Sequence, residues 1–302
     1  MTSEKPLTVA IQGEKGAFSH EAAIRTVGPG IEVLPRATFD ELFDSVVTGE
    51  ADRALVPIEN SLHGSIHENY DRLKSRPLHI VGETQLRIRQ CLIARPGSSV
   101  GTIRRVASHP VALAQCRRFF AERPQVEAVT AYDTAGAVQD LMKGGLATQG
   151  AIASRLAAEL SGAQVLLEGI EDDAENYTRF LLLAREPGPI ETATKTSMVF
   201  VLDNQPGALH RALGVFASRD VDLCKLESRG GGGAARGGDR GAGPDQPRAA
   251  HPRLLSGGLE PERGVTPYRM CSFSLTSFPS RIRQRNHEET SFIETQRRSS
   301  LR

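Results

Sequence analysis

Four short polar clusters carry residue types that could bind and transform a small acidic molecule. Gln12-Gly13-Glu14-Lys15-Gly16-Ala17-Phe18-Ser19 is a glycine turn running into a helix start. Such a turn suits an anion, because first-turn amides point outward unpaired. It has neither the G-x-G-x-x-G nor the G-K-[ST] spacing, so a carboxylate site and a plain tight turn both stay open. Glu59-Asn60-Ser61, followed by Gly64-Ser65, sets a carboxyl, an amide and a hydroxyl directly after a strand candidate. A capped turn is the plain alternative there. In Ser108-His109-Pro110, with Gln115 and Cys116 further on, Ser108 is either a helix N-cap or a hydrogen-bond donor. Asn176-Tyr177-Thr178-Arg179-Phe180 opens a last strand candidate, where Thr178 bonds either a neighbouring strand or a ligand.

Other chemistries find less support. His63 and His67 share a helix face at i, i+4 but have no H-E-x-x-H pattern and no third ligand, which favours a solvated face. There is no G-x-S-x-G elbow. Cys91 and Cys116 sit in apolar segments and read as buried, inert thiols. Glu171-Asp172-Asp173 reads as a solvated acidic turn. Cys91, Cys116, Cys224 and Cys271 include no C-x-x-C pair, so they read as reduced thiols rather than a metal or disulfide framework.

The elements that must position these clusters alternate. Residues 7–11, 31–34, 54–58, 78–82, 86–94, 103–107, 126–130, 147–153, 165–167 and 180–184 read as strands. Helices are expected after Ser19 as an N-cap, from the capping box Thr38–Glu41 through Val47, over 66–74, 110–120 and 133–142, and to Leu160. Strands alternating with helices of about ten residues predict an α/β fold with largely parallel, doubly wound sheet, whose ligands bind beyond the carboxyl ends of the strands. A second strand-helix-strand unit spans 197–203, 207–219 and 221–227. Residues 230–302 open on a glycine-rich run and are Arg-rich without period, predicting a disordered tail; Phe273, Leu275 and Phe278 alternate as a short strand would.

Composition bounds the class. The 302 residues carry 37 basic and 36 acidic side chains, a net charge of +1, which argues against a dedicated nucleic-acid binder. No apolar run approaches the roughly 20 residues of a membrane span. Residues 1–6 lack signal- and transit-peptide character, which leads to an expected cytoplasmic location.

Together these phrases make the chain resemble the prephenate dehydratase family, including plant-type arogenate dehydratases. The resemblance is carried by Gly13-x-x-Gly16-Ala17-Phe18-Ser19, by Ala51 through Ser61 with Gly64-Ser65-Ile66, and by Ser108-His109-Pro110 with Ala112-Leu113-Ala114-Gln115-Cys116. Asp133-Thr134-Ala135-Gly136-Ala137, Ala151-Ile152-Ala153-Ser154 and Asn176-x-Thr178-Arg179-Phe180 complete it. Lys195–Arg229 is similar to the start of the family's regulatory ACT domain. Its two phrases are Pro206-Gly207-Ala208-Leu209 and Leu226-Glu227-Ser228-Arg229, with Gly230 where the family has Pro.

The resemblance implies a two-lobed catalytic domain of type II periplasmic-binding-protein architecture over 7–186. One lobe spans about 7–85 plus 172–186 and the other about 86–171, with crossings near 83–89 and 167–176 and the active site in the cleft. It implies a partial ferredoxin-like α+β ACT domain over 195–229. The implied reaction is loss of carbon dioxide and water from prephenate to give phenylpyruvate, in phenylalanine biosynthesis. Arogenate is the alternative substrate, and a non-catalytic small-molecule binder on the same scaffold the alternative class. Aromatisation drives the step, so no metal, flavin or nicotinamide is needed. The demanding event is departure of the ring hydroxyl, which needs a proton or a strong hydrogen bond. Thr178 is carried over as that donor. Asn60 and Gln115 fix substrate polar groups, Ser108 donates, and Glu59 orients Asn60 or serves as an acid. Gly16, Ala17, Phe18 and Ser19 receive a carboxylate, Ser61 and Thr134 line the site, and Phe180 walls the ring. Phenylalanine as effector would meet Gly207, Ala208, Leu209, Glu227, Ser228 and Arg229. A homodimer or homotetramer is expected by resemblance. The abrupt change after Arg229 reads as a frameshift or as a genuine divergent tail, and weak or absent inhibition by phenylalanine is expected.

Overall fold

Runs of consecutive apolar residues become the central strands of two sheets, because a strand covered on both faces must be apolar throughout. The computed structural model describes residues 5–189, 195–203, 205–230 and 268–275. They form two units that divide after Gly188.

In the first unit, β1 (Thr8–Gln12), α1 (Phe18–Val27), β2 (Glu32–Arg36), α2 (Phe39–Val47) and β3 (Arg53–Asn60) make a right-reading α/β start with β1 parallel to both neighbours. The two-residue β4 (Gly64–Ser65) folds back on β3, and α3 (His67–Ser75) leads into β5 (His79–Arg87). The chain then crosses into a second lobe: β6 (Cys91–Ala94), β7 (Arg105–Ser108), α4 (Pro110–Ala114), α5 (Arg117–Ala121), β8 (Glu127–Thr130), α6 (Thr134–Gly144), β9 (Gln149–Ala153), α7 (Arg155–Ser161) and β10 (Gln164–Glu168). It returns as β11 (Tyr177–Ala184). The strand orders are β2-β1-β3-β11-β5 and β10-β6-β9-β7-β8.

Both sheets are mixed, not largely parallel as expected. The reason is the double crossing. A strand re-entering the first lobe starts at the end where β5 left it, so β11 runs antiparallel to β5 and to β3. By the same logic β6 runs antiparallel to β9. The carboxyl ends of β1, β3 and β5 and the start of β11 therefore share one end of the first sheet. They face the carboxyl ends of β7, β8 and β9 across the lobe junction.

Each sheet is filled on both faces. In the first lobe Leu42, Phe43, Val46 and Leu73 from α2 and α3 cover one face, and Ala22 and Ala23 from α1 cover the other with Ile11, Leu55 and Phe180. The β3–β11 register slips between Arg179 and Phe180, opposite Pro57 and Glu59. Pro57 has no N–H for the ladder, and its carbonyl is taken by the buried Asn69 amide at 2.8 Å.

Local signals were partly misread. The Thr38–Glu41 capping box forms as expected. Ala17, not Ser19, is the N-cap of α1, and His109, not Ser108, caps α4 through Nδ1. The single helix expected over 110–120 is two. It breaks at Gln115 and Cys116, because the Asp172 carboxylate accepts from the Arg117 and Arg118 amides, each at 2.9 Å, and starts a new helix there.

In the second unit, β12 (Thr196–Asp203), α8 (Ala208–Ala217), β13 (Leu223–Gly230) and β14 (Tyr268–Leu275) form a sheet of order β12-β14-β13. The expected disordered tail is corrected at 268–275, which is the central strand, antiparallel to both neighbours. A strand-helix-strand unit with its strands one place apart leaves two facing rows of unpaired N–H and C=O groups, and an extended segment fills that gap. Phe278 and the rest of the tail, 231–267 and 276–302, lie outside the described residues.

Charges clamp α2 to α3. Asp40 accepts from Arg72 at 2.9 and 3.0 Å and from Arg76 at 2.8 Å. These hydrogen bonds, first from Arg72 and then from Arg76, hold the Asp40 carboxyl down at about 2. The folded value lies below the unfolded one, so this contribution is present above about pH 4 and lost as pH falls toward 2. Melting of Asp40→Asn should therefore show a shallower acid limb than the parent over that range. The difference will be small, because the clamp is exposed.

Candidate active site

The end of β3 sets the first part of the site. The Asn60 carbonyl Oδ1 accepts from the main-chain amides of Leu62 and His63 at 3.0 and 3.1 Å. The His63 Nδ1 also lies 3.0 Å away. An amide oxygen only accepts, so that ring nitrogen donates, which fixes the His63 tautomer. With Oδ1 so occupied, Asn60 Nδ2 must face β11. Its two hydrogens are shared among three acceptors, Asn176 Oδ1 at 2.8 Å, the Tyr177 carbonyl at 3.1 Å and Thr178 Oγ1 at 3.1 Å. Thr178 thus accepts from Asn60 and keeps its own proton to donate. The residues 60 and 178 are direct cross-strand partners. Glu59, one residue back, pairs in register with Arg179 and so belongs to the opposite face of the sheet.

Ser61 braces the return crossing. Its hydroxyl donates to the Glu175 carbonyl at 2.6 Å and accepts from the Tyr177 amide at 2.9 Å. Both capacities are used, so the expected lining role becomes a structural one. The second lobe grips the same segment further back. The Asp172 amide donates to the Gln115 carbonyl at 2.7 Å, and the Ile170 amide to the Gln90 carbonyl at 3.1 Å. Gln90 Nε2 donates to Gln115 Oε1 at 3.1 Å, which leaves the Gln115 amine end for other use. Glu171 is not the solvated residue expected. It is 4% exposed and accepts from the Gln90 amide at 2.9 Å. Beside it, Arg87, Arg89 and Arg118 with Glu168, Glu171 and Asp172 line a cavity of about 440 Å³.

The glycine turn has a different task from the one expected. Gly16 donates its amide to His20 Nδ1 at 3.0 Å, and Ala17 donates to the Glu14 carbonyl. Burial, and then the Lys15 ammonium, push His20 below its ordinary value, which keeps that nitrogen an acceptor. The Gly16 carbonyl accepts from Ser154 Oγ at 2.5 Å, while Ser154 also caps α7 through the Ala157 amide. Ala17 packs into the second lobe's core with Ala135 and Ala157. The turn therefore docks one lobe on the other. Only Phe18 and Ser19 remain as first-turn amides without a side-chain cap.

Further expectations shift. Ser108 is fully buried and donates to the Ile152 carbonyl at 2.6 Å, so its proton holds β7 to β9. Phe180 is 2% exposed in the first lobe's core, not a wall of the cleft. Thr134 opens α6, half-buried, beside the cap Asp133. Cys91 and Cys116 are buried, and burial raises both thiols, Cys91 to about 11, as expected of inert groups. Sequence reading gave His63 a solvated face rather than a bond to Asn60, and gave Asn176 no role of its own within its cluster. The Asn176 signal was its place two residues before Thr178. No three His, Cys, Asp or Glu gather as a metal site among the described residues. Nor is any helix there long and apolar enough to cross a membrane.

Two α/β lobes joined by a double crossing, with a polar cluster at the crossing, define a periplasmic-binding-type fold. Comparison with known proteins is more specific. The family model for prephenate dehydratase matches residues 9–188. Arogenate dehydratase 2 of Petunia hybrida is 48% identical over 231 residues, covering 76% of this chain and 58% of that protein. Arogenate dehydratase/prephenate dehydratase 2, chloroplastic, of Arabidopsis thaliana is 44% identical over 255 residues, covering 83% and 62%. The structure of prephenate dehydratase in complex with L-Phe from Arthrobacter aurescens superposes with a TM-score of 0.70 at 29% identity, covering 90% of this chain and 80% of that one. The chain belongs to the prephenate dehydratase family. It spans about three fifths of the length of these plant relatives.

Gly16 has a φ of 98°, and a Cβ there would lie 2.7 Å from the Ala157 Cα. Gly16→Ala should lose about 1–3 kcal/mol from backbone strain alone. A further loss follows from forcing the lobes apart. Gly28→Ala, at a φ of 120° with open space around it, should show only the strain. Urea denaturation of both variants separates the two effects.

Proposed function

We propose that this chain removes carbon dioxide and water from prephenate to give phenylpyruvate. The supporting observation is the Asn60–Thr178 pair, in which Thr178 Oγ1 accepts and its proton has no acceptor among the described residues. As the bond to the ring carboxyl carbon breaks, its electron pair enters the ring and the ring C–O bond releases its own pair to oxygen. The leaving oxygen takes one proton and departs as water. Thr178 is a poor acid, so its part is to hold that oxygen while solvent supplies the proton. Asn60 aims Thr178, the free end of Gln115 and the Thr134 hydroxyl bind substrate oxygens, and the Phe18 and Ser19 amides receive a carboxylate. Ser108, Ser61 and Phe180 hold the frame behind them.

Arogenate is the second substrate reading, favoured by the names of the plant relatives. The reaction is placed in a reducing compartment, where Cys91, Cys116 and Cys224 remain thiols. We infer a cytoplasmic location, and a fluorescent fusion compared with a plastid marker decides. Homodimer or homotetramer assembly is carried over from the family and is read by light scattering.

Turnover of each substrate, with the aromatic product quantified, tests the reading. Ligand binding without product would show a binding module instead, and competition between the two substrates ranks them. Thr178→Val should lower kcat by about 100-fold or more with an unchanged circular dichroism spectrum. Wild-type turnover by that variant overturns the Thr178 assignment.

The second unit supports an ACT-like reading, with Gly207 in a left-handed conformation (φ 79°) as the N-cap of α8 before Ala208 and Leu209. Glu227, near the end of β13, pairs with Lys225 at 3.4 Å. Gly230 replaces the family's Pro at the second effector phrase, and we expect weak or absent inhibition by L-phenylalanine. Sigmoidal inhibition of normal potency would refute this.

A further inference from the structure

Asn176 sits on the return crossing with none of its surface exposed. Its main-chain carbonyl accepts from the Ile88 amide at 2.8 Å, which ties the two crossings together. Its side-chain Oδ1 accepts from Asn60 Nδ2 at 2.8 Å. That assignment is forced, because Asn60 Oδ1 is held by two main-chain amides and Asn60 can present only its amine end to Asn176. Asn176 must answer with its oxygen. Its Nδ2 is then buried and has no hydrogen-bond partner among the described residues. Buried polar groups are almost always satisfied, so an orphan donor in a folded protein calls for a partner beyond the described residues.

The neighbouring group shows which partner. Thr178 Oγ1 accepts from the same Asn60 Nδ2, at 3.1 Å, and retains its proton. One amide nitrogen thus orients two groups two residues apart, and each is left with a donor and no acceptor for it among the described residues. Two donors set side by side suit a single oxygen on which negative charge develops, as in an oxyanion hole. We propose that Asn176 is a catalytic residue whose Nδ2–H, together with the Thr178 hydroxyl, holds the departing ring oxygen of the substrate.

This rests on the dehydratase reading. Asn176 and Thr178 form no bond to the substrate and give up no proton. They stabilise the electron pair that moves onto oxygen as the C–O bond breaks, and water supplies the proton that completes the leaving group. Asn176 has none of its surface exposed in this structure, so binding the substrate requires a conformation in which its amine end is uncovered.

The test is a double-mutant cycle on the full chain with Asn176→Asp and Thr178→Val. Asn176→Asp keeps an oxygen for Asn60 Nδ2 and removes the donor. Wild-type turnover is measured first, and its failure on both prephenate and arogenate would defeat the dehydratase reading itself. With an active parent, each single variant should lose about 100-fold in kcat with KM changed by less than about fivefold. The double variant should fall no more than about tenfold below the weaker single one, because an oxygen held by one donor is already misplaced. Asn176→Ala gives the same readouts without a buried carboxyl and serves if the Asp variant does not fold. Turnover within threefold of the parent, a loss confined to KM, or factors that simply multiply in the double variant each overturn the proposal.

Discussion

Asn60 can turn its amide in one direction only. The amides of Leu62 and His63 close on its oxygen from the hairpin that follows β3, and its nitrogen is thereby aimed at β11. A flipped amide would set N–H against N–H in a half-buried place, which no rotamer relieves. From this one orientation follow the acceptor role of the Thr178 hydroxyl and the roles of both ends of the Asn176 amide. The tightest polar specification in the first unit therefore lies where the chain crosses between lobes.

That crossing is held from both sides, and by different means. The first lobe holds 175–178 with Ser61 and Asn60, through bonds that use the turn after a strand. The second lobe holds 170–172 with Gln90, Gln115 and the start of α5, where an acidic side chain sits on free helix amides. Opposite the crossing, the Gly16 turn rests on α7 through contacts too close for any side chain. A cleft results whose walls are set by backbone. Several serines that looked like substrate ligands are instead its fasteners, because a hydroxyl beside an unpaired carbonyl is used by the protein first.

The legible part of the molecule was the part written in local patterns. The alternation of apolar runs with helical stretches, the Thr38–Glu41 box, and the order of the glycine, Glu-Asn-Ser, Ser-His-Pro and Asn-x-Thr-Arg-Phe phrases located most of the strands and brought Asn60 and Thr178 forward together. What stayed illegible depended on distant partners. Nothing near Gln115 tells that Asp172 will break its helix, and nothing near Gly16 tells that Ser154 will take its carbonyl. The strand at 268–275 has a weak pattern of its own and is selected by the gap between β12 and β13.

The sequence by itself determined the family and offered a candidate hydroxyl for the leaving group. These follow from residue type and order, which survive without coordinates. Only the tertiary structure decided which polar groups are spent on the fold and which are left over. Ser61 and Ser108 are spent, whereas Thr178 keeps a donor and Asn176 Nδ2 has no partner among the described residues. The physical reason is that a hydrogen-bonding group is defined by what lies within about 3 Å of it. At the crossing those neighbours come from residues more than a hundred positions away in the chain.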